Sequence, residues 1–285
     1  MAALTVDAHH HLWDPAIRAY PWLTEELAAI RRRFGPEDLA PLIERAGIDR
    51  TILVQTTSSL DETREFLATA STTAFIGGVV GWVDLTDPAV GDTIAELAAG
   101  DGGSHLVGIR HQVHDEPDPG WLLRPDVNRG IAAVGTAGLV YDLLVRPREL
   151  PAALEVVRAH PDVAFVIDHL AKPSIRLGER EPWLSQLRPF GKLDGVAGKV
   201  SGLVTEADWR SWQVDDLRPF VDAVIEIFGP DRLMFGSDWP VCLLAATYQE
   251  VLDAARSATS GLSPDEQSQV FGETARRVYG LDRTG

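Results

Sequence analysis

Val6-Asp7-Ala8-His9-His10-His11 lies near the start of the chain and opens a series of short apolar segments that end in polar side chains. Three of the chain's eight histidines stand here in a row. The apolar residues before them predict a short buried strand. Successive side chains on a strand point to opposite faces, so we expect Asp7, His9 and His11 to share one face. Two imidazoles two residues apart can converge on one ion or one substrate oxygen, which makes the segment a candidate functional site rather than a solvated histidine cluster.

Seven further apolar runs rich in Val and Ile follow, and amphipathic segments separate them. The runs cover residues 51–55, 76–84, 106–110, 138–145, 163–169, 198–203 and 233–238. Runs that are apolar on both faces are typical of a parallel sheet covered by helices. Apolar side chains at helical spacing predict helices over residues 36–46, 147–160, 215–228, 247–258 and 264–279.

Eight strands alternating with helices over 285 residues predict an α/β fold, a (β/α)8 TIM barrel that spans residues 1–285 as a single domain. A doubly wound open sheet is the alternative, but no Gly-x-Gly-x-x-Gly follows the first strand. The composition, 45% hydrophobic and 24% charged, is that of an ordinary globular protein.

Charge and cysteine content limit the partners and the compartment. The net charge of −16 repels nucleic acid phosphates and anionic membranes, so we expect neither as a partner. The sequence has no apolar run of membrane-spanning length, and its first residues lack a basic segment followed by an apolar one. We therefore expect neither a membrane span nor a signal peptide. Cys242 is the only cysteine, which rules out an internal disulfide and fits a reducing compartment, so we expect the cytoplasm. A monomer and a homodimer both remain open.

The polar residues at the ends of the apolar runs are the candidate site, because the active site of such a barrel lies at the carboxyl ends of its strands. These residues are His9, His11, Gln55, Trp82, Asp84, Arg110, Tyr141, Asp142, His169, Lys172, Ser201, Asp238 and Trp239. For some of them a structural role is the alternative. Asp84 and Asp142 could cap helices, Arg110 could pair with a buried acid, and Tyr141 could belong to the core.

Three motifs resemble the amidohydrolase superfamily. They are Asp7-Ala8-His9-His10-His11-Leu12-Trp13-Asp14, Asp168-His169-Leu170-Ala171-Lys172-Pro173 and Phe235-Gly236-Ser237-Asp238-Trp239-Pro240. Within it the chain is similar to the amidohydrolase-2 type sugar lactonases, the L-fuconolactonase and L-rhamnonolactonase-like group. Residues 20–23, 108–112 and 203–209 strengthen that likeness.

The resemblance implies roles for four residues. His9 and His11 match the first-strand histidine pair, His169 a histidine of the middle strands, and Asp238 the last-strand aspartate that handles the water proton. Binuclear relatives bridge two metals with a lysine or a glutamate, whereas this chain has Arg110 at the fourth run, so a two-metal centre is not expected. The resemblance implies one divalent ion, zinc or manganese, held by these four residues, or no metal, since some lactonases of this branch work without one.

The predicted reaction is hydrolysis of a sugar 1,4- or 1,5-lactone to its aldonic acid. Asp238 would act as the general base for the attacking water, while His9, His11 and His169, with or without a metal, polarise the carbonyl. Arg110 and Lys172 would add positive charge near the oxyanion. Flat apolar rings and hydrogen-bond acceptors would bind the sugar: Trp13, Trp22, Gln55, Trp82, Asp84, Tyr141, Asp142, Trp209 and Trp239.

Three other functions are alternatives. A metal-dependent decarboxylase and a dicarboxylate-lactone hydrolase belong to the same superfamily, and a catalytically inactive sugar-binding or assembly protein is the third. A dicarboxylate lactone would require several cations in the site, and the sequence offers few, so a neutral polyhydroxylated lactone is favoured.

Overall fold

The computed structural model describes residues 4–281 and forms one parallel sheet of eight strands in sequence order. The strands are β1 (Val6–His10), β2 (Arg50–Val54), β3 (Ile76–Gly81), β4 (Leu106–His111), β5 (Val140–Leu143), β6 (Phe165–Ile167), β7 (Val196–Val200) and β8 (Leu233–Phe235). A parallel bridge between His10 and Trp239 brings the chain after β8 against β1. The predicted (β/α)8 barrel is confirmed, and each apolar run of the sequence overlaps one strand.

Helices cover the outside of the barrel. They are α1 (Pro36–Ala46), α2 (Leu60–Thr72), α3 (Val90–Ala99), α4 (Pro125–Thr136), α5 (Leu150–Ala159), α6 (Trp183–Leu187), α7 (Leu203–Glu206), α8 (Val214–Phe228), α9 (Tyr248–Ala258), α10 (Pro264–Ser268) and α11 (Thr274–Tyr279). A π-helical turn at Gln269–Glu273 joins α10 to α11, where the sequence predicted one continuous helix. Among residues 4–281, no helix combines the length and the apolar character that crossing a membrane requires.

Two apolar layers follow from the alternation of side chains along the strands. One layer lies between the sheet and the helices and includes Tyr141 and Phe165. The other fills the barrel interior with small and branched side chains: Val6, Ala8, Ile52, Val54, Val80, Val140, Val166, Ala197 and Met234. Beyond this interior layer, toward the carboxyl ends of the strands, the inward-facing residues become polar.

A β-bulge in β1 changes which of its side chains face inward. Asp7 pairs with Thr51 and His10 with Leu53, so three steps along β1 match two along β2. The expectation that Asp7 shares a face with His9 and His11 is therefore wrong. The Asp7 carboxylate instead accepts hydrogen bonds from the backbone N–H groups of His9 and Ser237 and from the Tyr248 hydroxyl, at 3.1, 2.8 and 3.0 Å. Asp7 ties β1 to the chain after β8 and to α9.

Candidate active site

Four side chains predicted to act in catalysis meet at the carboxyl ends of β1, β6 and β8. Nε2 of His9 lies 3.2 Å from Nε2 of His11. Oδ1 of Asp238 lies 3.4 Å from Nε2 of His11 and 3.9 Å from Nε2 of both His9 and His169. All four residues are buried, with exposed fractions of at most 5%. One carboxylate oxygen therefore faces three imidazoles at the base of a cavity.

The backbone after β6 is unusual and positions two of the predicted site residues. His169, Leu170, Ala171 and Lys172 all have positive φ, between 50° and 60°, so four non-glycine residues form a left-handed turn. Burial of Leu170 and Ala171 holds this turn, and Nε1 of Trp183 donates to the Leu170 carbonyl at 2.6 Å. The turn directs His169 towards Ser201, whose Oγ lies 2.8 Å from Nδ1 of the ring.

A buried ionic cluster lies inside the barrel beneath the histidines. Nζ of Lys199 is 2.5 Å from Oδ2 of Asp142, 3.0 Å from Oδ1 of Asp168 and 3.2 Å from Nδ1 of His9. Tyr279 donates its hydroxyl to Asp142 at 2.9 Å. Buried charges persist only when they are paired, so each acid in this cluster requires the lysine or another donor.

Arg110 completes the cluster from β4. Its Nη1 donates to Oδ2 of Asp168 at 2.9 Å and lies 3.3 Å from Nε2 of His9. Its Nη2 donates to the side-chain oxygen of Gln55 at 3.1 Å and also to the Gln55 carbonyl. Arg110 thus pairs with a buried acid, which is the structural role considered from the sequence, and its guanidinium also lies beside His9.

Burial and neighbouring charges set the protonation of these groups. Burial lowers the pKa of His169 to about 4 and that of His9 well below its usual value, so both rings are neutral at neutral pH. Burial alone would raise the pKa of Asp238, but the adjacent His169, His11 and His9 outweigh it and lower the pKa. Asp238 is therefore ionised at neutral pH. Burial raises the pKa of Asp142 to about 6, although Lys199 opposes the shift.

A cavity of about 160 Å³ opens above these groups. Its lining includes the site residues His11, His169 and Asp238 and three predicted substrate-binding residues, namely Trp22, Arg110 and Lys172. Further lining residues were not predicted from the sequence: Thr56, Gln112, His114, Asp115, Leu144 and Val241. Lys172 pairs with Glu206 at 3.0 Å and Trp22 donates Nε1 to the Thr56 carbonyl at 2.9 Å, so both lining side chains are held in place.

Several other predicted substrate-binding residues lie away from the cavity lining. Trp13 and Trp239 are buried, and each packs edge-on against Phe34, with ring centroids 5.5 and 5.3 Å from it. Tyr141 is fully buried in the helix-facing layer and packs edge-on against Phe165, because the alternation of β5 turns it away from the interior. These three aromatic rings belong to the core.

Three further residues predicted to bind the substrate make contacts outside the cavity lining. Asp84 is exposed and accepts from the backbone N–H of Thr86 at 2.9 Å in a local turn. Nε1 of Trp82 donates to Nδ1 of His111 at 3.0 Å. Trp209 is 39% exposed and donates Nε1 to the Thr205 carbonyl at 2.9 Å.

Gln55 and Asp142 support the site from within the barrel. Gln55 is fully buried and binds Arg110, and Asp142 is fully buried and binds Lys199. Asp142 therefore does not cap a helix, which was the structural alternative considered for it.

Sequence reasoning missed Lys199 and Asp168 as parts of the site. Both lie in predicted strands, residues 163–169 and 198–203, but the polar residues predicted to matter were those that follow them, His169 and Ser201. A lysine in the middle of an apolar strand was the available signal, because a buried ammonium requires acidic partners on neighbouring strands.

The residues present fit one divalent ion better than two. Donor atoms of His9, His11 and Asp238 lie within 4.8 Å of one another, and so do those of His9, Asp168 and His169. Tetrahedral zinc with Zn–N distances of about 2.0–2.1 Å places its ligands about 3.3 Å apart, close to the 3.2 and 3.4 Å contacts of His11. The Asp168 group fits less well, because Arg110 and Lys199 already pair with that carboxylate.

This barrel, with a His-x-His pair after the first strand and an aspartate after the last, has the form that the motifs led us to expect of an amidohydrolase. The family model Amidohydro_2, described as amidohydrolase, matches residues 6–281, so the chain belongs to this family. The predicted membership is confirmed.

Similar proteins support the same subgroup. The chain is 40% identical to the L-fucono-1,5-lactonase of Burkholderia multivorans, over 99% of this chain and 97% of that protein. It is 39% identical to the L-fucono-1,5-lactonase of Burkholderia ambifaria, over 98% and 96%. A crystal structure of an amidohydrolase from Burkholderia multivorans with bound zinc matches with a TM-score of 0.90 and 38% identity, covering 98% of this chain and 100% of that one.

Proposed function

We propose that this protein hydrolyses a sugar lactone of the L-fucono-1,5-lactone type to the open-chain aldonic acid. The observation that carries the proposal is the position of the Asp238 carboxyl group, which lines the cavity and faces three histidines. The likeness to two L-fucono-1,5-lactonases over almost the whole chain supports the same reaction.

Asp238 handles the proton in this proposal. Its carboxylate takes a proton from a water molecule as the water oxygen attacks the lactone carbonyl. When the bond between the carbonyl carbon and the ring oxygen breaks, Asp238 returns the proton to that oxygen. The products are a carboxylic acid and a free hydroxyl on one chain, and the acid then ionises in water. Its lowered pKa keeps Asp238 in the basic form at neutral pH.

The histidines and Arg110 stabilise the negative charge that forms on the carbonyl oxygen. His169 lines the cavity, and a neutral imidazole whose N–H faces a buried site can donate it to this oxygen without reorganising. Arg110 lines the same cavity and adds a fixed positive charge, which Asp168 and Gln55 hold in position. When a divalent ion is bound by His9, His11 and Asp238, it supplies Lewis-acid polarisation of the carbonyl.

The charge of the cavity supports a neutral substrate. Its two cationic side chains, Arg110 and Lys172, already pair with Asp168 and Glu206 at 2.9 and 3.0 Å. The lining also carries an acid, Asp115, and polar groups from Thr56 and Gln112 that suit hydroxyl groups. A substrate with two carboxylates would have to compete for these cations, whereas a polyhydroxylated lactone does not.

The test is a pH-indicator assay with a panel of esters and acids. We expect L-fucono-1,5-lactone and related aldonolactones to be hydrolysed well above the uncatalysed rate, and a dicarboxylate lactone and a hydroxybenzoic acid to be unchanged. Asp238→Asn is the matched control, because it keeps the size of the side chain and removes the base. Release of CO₂ from the hydroxybenzoic acid, with no lactone hydrolysis, would establish the decarboxylase alternative instead.

The metal content is measured on the same preparation before and after dialysis against a chelator. Comparing it with the rate of lactone hydrolysis shows whether that rate depends on the bound ion.

A further inference from the structure

The Nδ1 atom of His9 faces two partners that require opposite protonation. Nζ of Lys199 lies 3.2 Å away and Oδ1 of Asp168 lies 3.4 Å away. An ammonium can only donate a hydrogen bond, and an ionised carboxylate can only accept one. Lys199 therefore favours a ring with a bare Nδ1 and its proton on Nε2, whereas Asp168 favours a proton on Nδ1.

The Nε2 atom of His9 also faces two opposed partners. His11 Nδ1 lies 2.7 Å from the Val54 carbonyl, which only accepts, so a proton stands on Nδ1 of His11 and Nε2 is the atom of this ring that can present a lone pair. That lone pair lies 3.2 Å from Nε2 of His9 and favours a proton there. Arg110 Nη1, at 3.3 Å, favours a lone pair, but it donates to Asp168 at the shorter distance of 2.9 Å. Lys199 and His11 thus favour one tautomer, and Asp168 and Arg110 the other.

A divalent ion between His9 and His11 would reverse this balance. Both rings would have to present lone pairs at Nε2, so the proton of His9 would move to Nδ1. Asp168 can accept that proton in a hydrogen bond. Lys199 cannot, and its fully buried charge also repels a dication.

We propose that Lys199 is a positioning residue that holds His9 in the Nε2–H tautomer when no ion is bound, and that it thereby weakens divalent-ion binding at the His9–His11–Asp238 group. In this tautomer the Nε2–H of His9 points to Nε2 of His11, 3.2 Å away. The proposal does not depend on which ester is hydrolysed, and its tests do not use activity, so it can fail while the proposed function stands.

The main experiment replaces the lysine without leaving an unpaired acid. Lys199→Met combined with Asp142→Asn removes the buried ion pair as a unit, and Asp142→Asn alone is the control that retains the lysine. In the metal-free protein labelled with ¹⁵N-histidine, the ring signals of His9, assigned by their loss in His9→Gln, should report Nε2–H in the control and Nδ1–H in the double variant. Zn²⁺ titrations should show about 10- to 100-fold tighter binding by the double variant, the range seen when groups that orient metal ligands are changed.

Two further variants test the proposal, one by an expected change of Zn²⁺ affinity in the opposite direction and one by a conservative replacement of the lysine. Asp168→Asn replaces the acceptor with an amide that can donate to Nδ1, so Zn²⁺ binding should weaken while the Nε2–H signals persist. Lys199→Arg keeps a donor-only cation and should retain the wild-type tautomer. If His9 shows Nδ1–H in the metal-free wild-type protein, or if the tautomer and the Zn²⁺ affinity are the same in the lysine-free and control proteins, the proposal is wrong. Should the double variant not fold, the wild-type tautomer and the Asp168→Asn result still decide the matter.

Discussion

Oδ1 of Asp238 lies 3.4 Å from Nε2 of His11, so the carboxylate that follows the last strand faces the imidazole that follows the first. The two residues are far apart in sequence, and barrel closure brings them together. Backbone bonds fix this closure, since His11 N–H donates to the Trp239 carbonyl at 2.7 Å and Asp238 N–H donates to the His9 carbonyl at 2.8 Å. The proposed base and the first-strand pair are therefore held by the same main-chain contacts.

Replacing Asp238 with asparagine tests the assignment of the base. We expect kcat for lactone hydrolysis to fall about 10²- to 10⁴-fold, the usual contribution of a positioned general base, with a small change in KM. Asp115→Asn is the matched control, because Asp115 lines the same cavity but does not face His9, His11 or His169 as Asp238 does. It should alter KM more than kcat. An Asp238→Asn enzyme with the wild-type rate would show that another group accepts the water proton.

Alanine substitutions at two glycines distinguish the effect of backbone strain from the effect of crowding in the site. Gly202 has φ of +63°, and a Cβ on it would lie 2.6 Å from Nδ1 of His169. Gly138 has φ of +70°, and nothing lies within 4 Å of its Cβ position. Alanine at either position should cost about 1–2 kcal/mol of unfolding free energy, because both require the left-handed region.

Only Gly202→Ala should also displace His169, and a misplacement of about 1 Å can cost about 10²-fold in rate. Urea unfolding and steady-state kinetics on both variants check this. Equal losses of kcat would mean that the His169 position does not matter for the reaction.

The left-handed turn after β6 leads to a prediction about Trp183. Its Nε1 donates to the Leu170 carbonyl at 2.6 Å, and phenylalanine would leave that buried acceptor unpaired at a cost of about 1–3 kcal/mol. We expect Trp183→Phe to lower both stability and kcat, because the same turn directs His169. Trp212→Phe is the control, since Trp212 also donates to a backbone carbonyl, that of Ala245 at 2.9 Å, but is only partly buried. If thermal unfolding and kcat respond equally in the two variants, Trp183 has no special part in holding the turn.

The sequence predicted the barrel well because its signals were local. Apolar runs of strand length and helical spacing depend on neighbours in sequence, and α1 begins at Pro36 and ends before Gly47 as its residues indicate. The ends of the strands also identified the catalytic candidates, because in this fold every strand points its carboxyl end to the same side.

What the sequence could not provide was the direction of individual side chains. One extra residue in β1 turned Asp7 away from the site, and no composition pattern marks such a bulge. Tyr141 and Asp142 are adjacent, yet one faces the helices and the other Lys199. The partners of Lys199 come from β1, β5 and the residue that follows β6, so its role depends on the sheet register rather than on its neighbours in sequence.

His10, which lies between the two site histidines, provides a pH-dependent prediction about stability. Burial lowers its pKa from 6.5 to about 3, and its Nε2 lies 2.9 Å from Oγ1 of Thr51. Between these pH values the unfolded chain binds a proton at His10 that the folded protein excludes, so stability is lost as the pH falls from 6.5 towards about 3. The loss in unfolding free energy approaches about 1.4 kcal/mol per pH unit.

His10→Gln keeps a polar group for Thr51 but cannot titrate, so its stability should fall less steeply with acid than that of the wild type. Contributions from His9, His169 and Asp142 are shared by both proteins and cancel in the difference. Urea unfolding at intervals between pH 7 and pH 5 measures this difference, and parallel curves for the two proteins would show that His10 is not buried in its neutral form.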